Sequence, residues 1–362
     1  MSALARRANP PGGLYSGAVE LINTTKHQHY LPQVEQRLNA ANPRGARDRQ
    51  RIYSFKLVDR EQRTLQLENP KGRLISENLA IRDLFSFDVA PDNGLRANFE
   101  TLFGRYEGVV KATTVRVLDR LKADGAAREN GRNFKEVDPS FHQDLKVLFT
   151  AKILNFARNP YCVEKVLNTF GVLANYEPTC SQKRAYFERI LNGRRPHQQW
   201  LCQELGITDQ NYVDWLKALF MLFVERDKSE GDENSILAGM TTSLFEGPQR
   251  AVGVMICTYA DPVCLVSDRA FSTSVRENGK DGFDFNLTSH AFIRYVFGQL
   301  DALVPHAPSW VVQGYHRPPK ELLFHHRTDD MTQLGGYNRN VIYQCAQRVY
   351  SAIKVPVIPP ME

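Results

Sequence analysis

The chain has 362 residues, 42% hydrophobic and 24% charged, enough to bury one large core or two ordinary ones without disulfides or metal. Its formal net charge of +6 lies mostly in residues 1–96, which suits a phosphate-bearing partner. None of the six cysteines forms a C-x-x-C pair, no run reaches ~18 apolar residues, and MSALARRANPPGGLYSG lacks an apolar stretch of leader length. A zinc ribbon, a membrane span and a secretory signal are therefore not expected, and the reading is a cytoplasmic protein with no membrane partner.

Residues 1–25 are small and Pro/Gly-rich at first, and are expected to be loosely ordered. In KHQHYLPQV, Pro32 biases Leu31 away from the α region, so His27 and His29 are expected in an extended segment and on one face of it. NPRGARDRQR, with Arg44, Arg47, Arg49 and Arg51 around Asp48, reads as a basic loop. RIYSFKLVD alternates with period two and predicts a strand, which RTLQLEN would join as a hairpin. Leu95, Phe99, Leu102, Phe103, Tyr106, Val110, Val117 and Leu121 recur at helical spacing and predict a helix over 95–121. A second helix is predicted over 141–158, ended by Pro160, and others over 182–192, 211–227 and 235–245. SEGDENS is read as a loop.

From Ala251 the pattern changes. AVGVMICTY and CLVSD flank Asp261-Pro262 and predict a β-hairpin. FDFNLT is expected to add a strand, SHAFIRYVFG fits strand or helix, and His325-His326 falls in a stretch read as a loop. Val341, Ile342, Cys345, Val349 and Ala352 predict a closing helix over 338–353. The order favours an α+β fold: a single domain over 26–362, a helical middle at about 95–245, and a small, mostly antiparallel sheet from N- and C-terminal strands.

Familiar signatures are absent: no G-x-x-x-x-G-K-[ST], no G-x-S-x-G and no G-x-G-x-x-G. Individual polar residues carry the chemistry instead. His29, with His27, can ligate a metal or act as a base, or one imidazole can simply bond a backbone carbonyl. Glu100 and Glu107 share a helix face. Glu107 has Lys111 four residues on as a surface partner, yet it follows apolar-flank Tyr106 and could point inward as ligand or base. Lys152, Asn155 and Arg158 sit at i, i+3 and i+6 on an otherwise apolar helix. Arg158 could clamp a phosphate or offset the helix C-terminus. Asp268, just past a buried-looking strand, is placed for metal or acid work, or for a turn.

These segments together resemble the domain-of-unknown-function family numbered 4238. His29-Tyr30-Leu31-Pro32-Gln33 is similar to its opening motif, and RIYSF to its first strand. FETLFGRYEGVVKATTVRVL is similar to its Glu-bearing helix, NFARNP to its Arg-x-Pro helix end, and LVSDRAF to a Ser-Asp-x-Pro strand end. Ala270 stands where the proline would be. Asn338 or Asn340, with Ala346 and Tyr350, is similar to its closing helix. The resemblance groups His29, Glu107, Arg158 and Asp268 as one site. Two function classes fit. The first is a metal-assisted or general-base phosphodiesterase acting on nucleic acid. There His27, His29 and Asp268 would hold a divalent metal ion, Glu107 would take a proton, Arg158 would stabilise the phosphorane, and Arg44, Arg47, Arg49 and Arg51 would bind the backbone. The second is a non-catalytic binding or sensing module in which the four residues form a buried structural network.

Overall fold

The computed structural model describes residues 21, 23–90, 95–125, 139–178, 181–223, 235–247, 250–274, 279–303 and 322–359. Residues 1–20 and 22, expected to be loosely ordered, and most of the SEGDENS loop lie outside these ranges.

The fold is α+β. The predicted first strand is β2 (Arg51–Asp59), after the short β1 (His27–His29) and α1 (Gln33–Leu38), and it pairs antiparallel with β3 (Thr64–Leu67), Phe55 facing Leu67. Its two faces serve two cores: Ile52 packs into the main one, and Phe55 into a second one with Leu334, Tyr337, Val341 and Val349. After β4 (Arg73–Leu74), β5 (Ala80–Arg82), β6 (Phe87–Ala90) and β7 (Leu95–Ala97) comes the long α2 (Glu100–Gly125). It begins five residues later than the apolar period suggests. Asn98 ends the extended run by accepting the Glu100 N–H at 3.0 Å, the local bond that favours Asn before a helix.

The α-rich middle follows as α3 (Pro139–Ala157), α4 (Val163–Phe170), α5 (Ser181–Asn192), α6 (Gln198–Leu205), α7 (Asp209–Phe223) and α8 (Ile236–Glu246). α3 is the central helix. On one side its Phe149 meets the rings of Phe285, Tyr295 and Phe297, and the Tyr295 hydroxyl donates to the Leu145 carbonyl at 2.8 Å. At its end the Trp215 indole N–H donates to the Ala157 carbonyl at 2.7 Å. These bonds hold α3 in place and so position Arg158, just past its end.

The N- and C-terminal strands do not form one small sheet: most of the C-terminal ones build a sheet of their own. β8 (Ala251–Thr258), β11 (Asp281–Thr288), β12 (Ala291–Gly298) and β13 (Leu323–Thr328), with β10 (Ser272–Thr273) at one edge, build a five-stranded sheet in the order β10-β11-β12-β8-β13. The sheet is antiparallel except for β13 on β8. SHAFIRYVFG thus resolves as strand β12. The expected hairpin across Asp261-Pro262 is not made: β9 (Val266–Ser267) leaves β8 and joins the other large sheet, in the order β3-β2-β14-β9 with β14 spanning Arg348–Ser351. His325-His326 lies in strand β13 and not in a loop.

The closing helix is α10 (Met331–Gln344), following the single-turn α9 (Leu300–Leu303) and β13, and it ends before residues 348–351. Those residues form β14 (Arg348–Ser351), clamped between β2 and β9. Arg-Val-Tyr-Ser reads equally as the end of a helical stripe or as an alternating strand, and pairing with β2 decides between them. No helix among the described residues is long and apolar enough to cross a membrane.

Candidate functional site

β1 is extended, as expected, and its register sets His27 opposite Arg82 and His29 opposite Ala80 on β5. Gln28 between them points inward, donating to the Ser86 hydroxyl at 2.8 Å and accepting the Phe85 N–H at 2.5 Å. That leaves His27 exposed and His29 half-buried on the other face. Leu31-Pro32 then turns the chain into α1, whose faces are sharply different. Glu35, Gln36 and Asn39 are buried; Gln33 and Arg37, one turn apart, look outward alongside His29.

The buried face of α1 binds α3. Glu35 accepts from the Lys152 ammonium on one carboxylate oxygen and from the Asn155 amide on the other, and neither Glu35 nor Lys152 is more than 7% exposed. Asn155 passes the network on, accepting from Arg158 Nη2 at 3.0 Å. Arg158 Nη1 is 2.6 Å from Glu107 Oε1, and its guanidinium lies 5.0 Å over the Phe103 ring on the same helix as Glu107. The arginine side chain is 0% exposed while Glu107 is 29% exposed, so the ion pair has a dry end and a wet end.

Two titratable groups flank this pair. His29 is held below its ordinary pKa, chiefly by burial; the Glu107 carboxylate works against that and the Arg158 charge with it. Glu100, one turn before Phe103, is pushed up to about 7 by burial; Arg158 opposes the rise and Glu107 adds to it. Glu100 Oε1 and Arg158 Nε are buried, and neither has a hydrogen-bond partner among the described residues. At neutral pH the site therefore holds an uncharged imidazole and a carboxyl near half-protonation.

The imidazole tautomer follows from its neighbours. Arg37 has only donors, and its Nη2 lies 2.6 Å from Gln33 Oε1. The Gln33 amide is thereby oriented so that its NH2 faces His29 Nε2 at 3.4 Å. A donor there requires Nε2 to be the unprotonated acceptor, which leaves the ring's other N–H for the backbone at Ile75 and Ser76. Arg37 also donates to the Arg47 carbonyl at 2.5 Å and to Gln50 Oε1 at 3.0 Å. One side-chain track thus runs from His29 to the basic loop.

That loop is pinned. Asn42 donates to the Arg49 carbonyl at 3.0 Å, and Gln50 to the Pro43 carbonyl at 2.9 Å. Arg44, Arg47 and Arg49 project into solvent from it, Arg49 with only a 4.0 Å contact to Asp48. Arg51 differs: it is half-buried in β2 and donates to the Gly72 carbonyl at 2.8 Å, so it braces the sheet.

The structure brings His29, Glu107 and Arg158 together and employs Asp268 elsewhere. The buried Asp268 carboxylate accepts the backbone N–H groups of Ala346 and Gln347 at 2.7 Å and of Arg348 at 2.8 Å, holding the turn from α10 into β14. Burial still raises its pKa despite those three bonds. Its backbone carbonyl accepts from Asn159 at 2.7 Å, which ties that turn to the residue after Arg158. The expected metal set of His27, His29 and Asp268 is therefore not assembled: one member is exposed at a strand start and another has both oxygens occupied. Among the described residues no three His, Cys, Asp or Glu side chains are grouped to hold a metal ion. Arg158 is too buried to clamp a phosphate directly. Ala270 sits at φ 66°, a conformation closed to proline. Replacing Asp268 with alanine removes the acceptor of three part-buried N–H groups. It is expected to cost about 2–4 kcal/mol and to speed amide exchange at residues 346–348, measured by thermal melting and hydrogen exchange.

Sequence reasoning missed Glu35, Gln33 and Arg37, and it set Glu100 aside. Lys152 in the apolar run KILNFA was the available signal, because a lysine buried among apolar neighbours requires a carboxylate partner. Comparison of the chain with protein-family models, curated proteins and solved structures gave no match.

Proposed function

We propose that this chain is a general-base phosphodiesterase of the nuclease class, with His29 as base, Glu100 as acid and the Glu107–Arg158 pair between them. The observation that carries this reading is the His29 ring, neutral and with its Nε2 lone pair directed by the Gln33–Arg37 bond, beside an ion pair whose carboxylate end reaches solvent. Water displaces the Gln33 NH2 from its 3.4 Å contact with His29 Nε2, and Nε2 takes a proton from that water as the water oxygen bonds to phosphorus. The phosphorus–oxygen bond to the leaving alcohol breaks, and Glu100 delivers its proton to that oxygen. Arg158 is a positioning residue: it holds Glu107 and never meets the substrate. The exposed arginines of residues 44–49 supply a positive field for a nucleic-acid backbone, and they are joined to His29 through Arg37 and Gln33.

The test is hydrolysis of a fluorogenic single-stranded oligonucleotide and of bis-p-nitrophenyl phosphate, with EDTA and with added magnesium or manganese. The base must be unprotonated, so activity rises with pH through the lowered His29 pKa, below 6.5. The acid must be protonated, so activity falls as pH rises through about 7. The expected profile is a bell whose rising limb lies below pH 6.5 and whose falling limb lies at about 7, and His29→Ala lowers kcat by about 10²–10⁴-fold. An inactive parent protein, or an unchanged His29→Ala, overturns the reading. The wholly buried Glu35–Lys152–Asn155 cluster favours a second reading, a non-catalytic module in which this network is structural. An inactive parent combined with a strongly destabilised Lys152→Met would establish it.

A further inference from the structure

A cavity of about 800 Å³ lies at the C-terminal end of α1, and none of its walls belongs to the acid–base centre. Leu38 and Pro43 form one wall, Leu118 and Leu121 of α2 another, and the carboxyl ends of β8 and β13 close it. Its volume is that of a pocket for a small organic ligand. The chemistry is divided. The leucines and Pro43 make an apolar slot. At the sheet end stand Thr258, whose hydroxyl is 2.9 Å from His326 Nε2, and His290, whose Nδ1 is 3.3 Å from the Tyr259 carbonyl. That last contact makes Nδ1 the protonated nitrogen and leaves His290 Nε2 as an acceptor at the rim. One cation and one carboxylate border the opening, exposed Lys122 and exposed Asp329, and Pro43 leads directly into the pinned loop, whose exposed Arg44, Arg47 and Arg49 lie outside the lining.

We propose that this cavity binds a nucleotide. Its base occupies the apolar slot, its ribose hydroxyls meet Thr258 and His290, and its phosphate meets Lys122 and the arginine loop. The division of the walls carries the inference: a flat apolar body, a hydroxyl-bearing middle and an anionic end match the three kinds of wall in turn. A purely apolar ligand would make no use of the His290 Nε2 acceptor or the Lys122 charge, and an inorganic anion would leave the slot empty. The inference does not require His29 to be a base, because its readout is binding. The nucleotide can be a free mononucleotide or the end of a single strand, and the experiment separates the two.

The test is calorimetric titration of the full chain with adenosine monophosphate, with a 5′-phosphorylated single-stranded hexanucleotide, and with octanoate as an apolar anion. Ala260→Trp fills the rim from an exposed position whose backbone N–H bond to Asp329 is kept, and Leu118→Trp is the second filling variant. Both are checked by thermal melting. The expected result is nucleotide binding that falls at least about tenfold in either filling variant and in Arg44→Glu/Arg47→Glu, and that weakens with salt. Monophosphate binding identifies a free ligand, and hexanucleotide binding alone identifies a strand end. No binding of either nucleotide, binding that survives both filling variants, or binding of octanoate in their place overturns the proposal.

Discussion

Replacing Lys152 with methionine is expected to destabilise the protein by about 3–5 kcal/mol, because it leaves the Glu35 carboxylate buried without its cation. Lys152 is 1% exposed, and water cannot reach Glu35 to compensate. The double variant Glu35→Gln/Lys152→Met is expected to recover most of the loss. A glutamine oxygen still accepts from Asn155, methionine fills the lysine stem's volume, and no charge remains to desolvate. Urea unfolding followed by tryptophan fluorescence measures all three proteins. If the double variant is no more stable than Lys152→Met alone, the ion pair is not what binds α1 to α3. The effect extends to the site, since α1 carries Gln33 to His29. Lys152→Met should therefore release the His29 tautomer, visible in the imidazole nitrogen shifts at a temperature where the fold persists.

The second large effect depends on pH. Folding raises the Glu100 pKa from 4.5 to about 7, so the folded protein holds a proton there that the unfolded chain has released. A raised carboxyl pKa contributes stability below pH 4.5 that is lost as pH rises through about 7. Above pH 7 the buried charge costs about 3 kcal/mol, at about 1.36 kcal/mol per pKa unit. Glu100→Gln removes that cost. It also loses the favourable place of a carboxylate in the first turn of α2, worth up to about 1 kcal/mol. The net expectation is a variant about 2 kcal/mol more stable than the parent at pH 8 and indistinguishable from it at pH 4, read as thermal midpoints across pH. A variant equally or less stable at pH 8 would show that Glu100 is solvated or paired there. The same substitution removes the proposed acid, so stability and turnover should move in opposite directions, as happens where a site is held in a costly arrangement.

The sequence by itself determined what repeats along the chain. The alternation in RIYSFKLVD specifies β2, and the spacing from Phe99 to Leu121 specifies the buried stripe of α2. Pro160 sets the end of α3, and Pro32 keeps Leu31 out of the α region just after β1. It also marked His29, Glu107 and Arg158, because imidazole, carboxylate and guanidinium groups on apolar elements must find partners. Only the tertiary structure decided who those partners are. Arg348–Ser351 is a strand because β2 and β9 offer it hydrogen bonds, and Asp268 caps that turn because the freed N–H groups of residues 346–348 lie beside it. Glu35 meets Lys152 across 117 positions of sequence, and Glu100 acquires its raised pKa from a helix end that is covered only once the chain is packed. Local periodicity is set by backbone geometry and can be read one segment at a time. Desolvation and long-range pairing belong to the assembled core, and no single segment contains them.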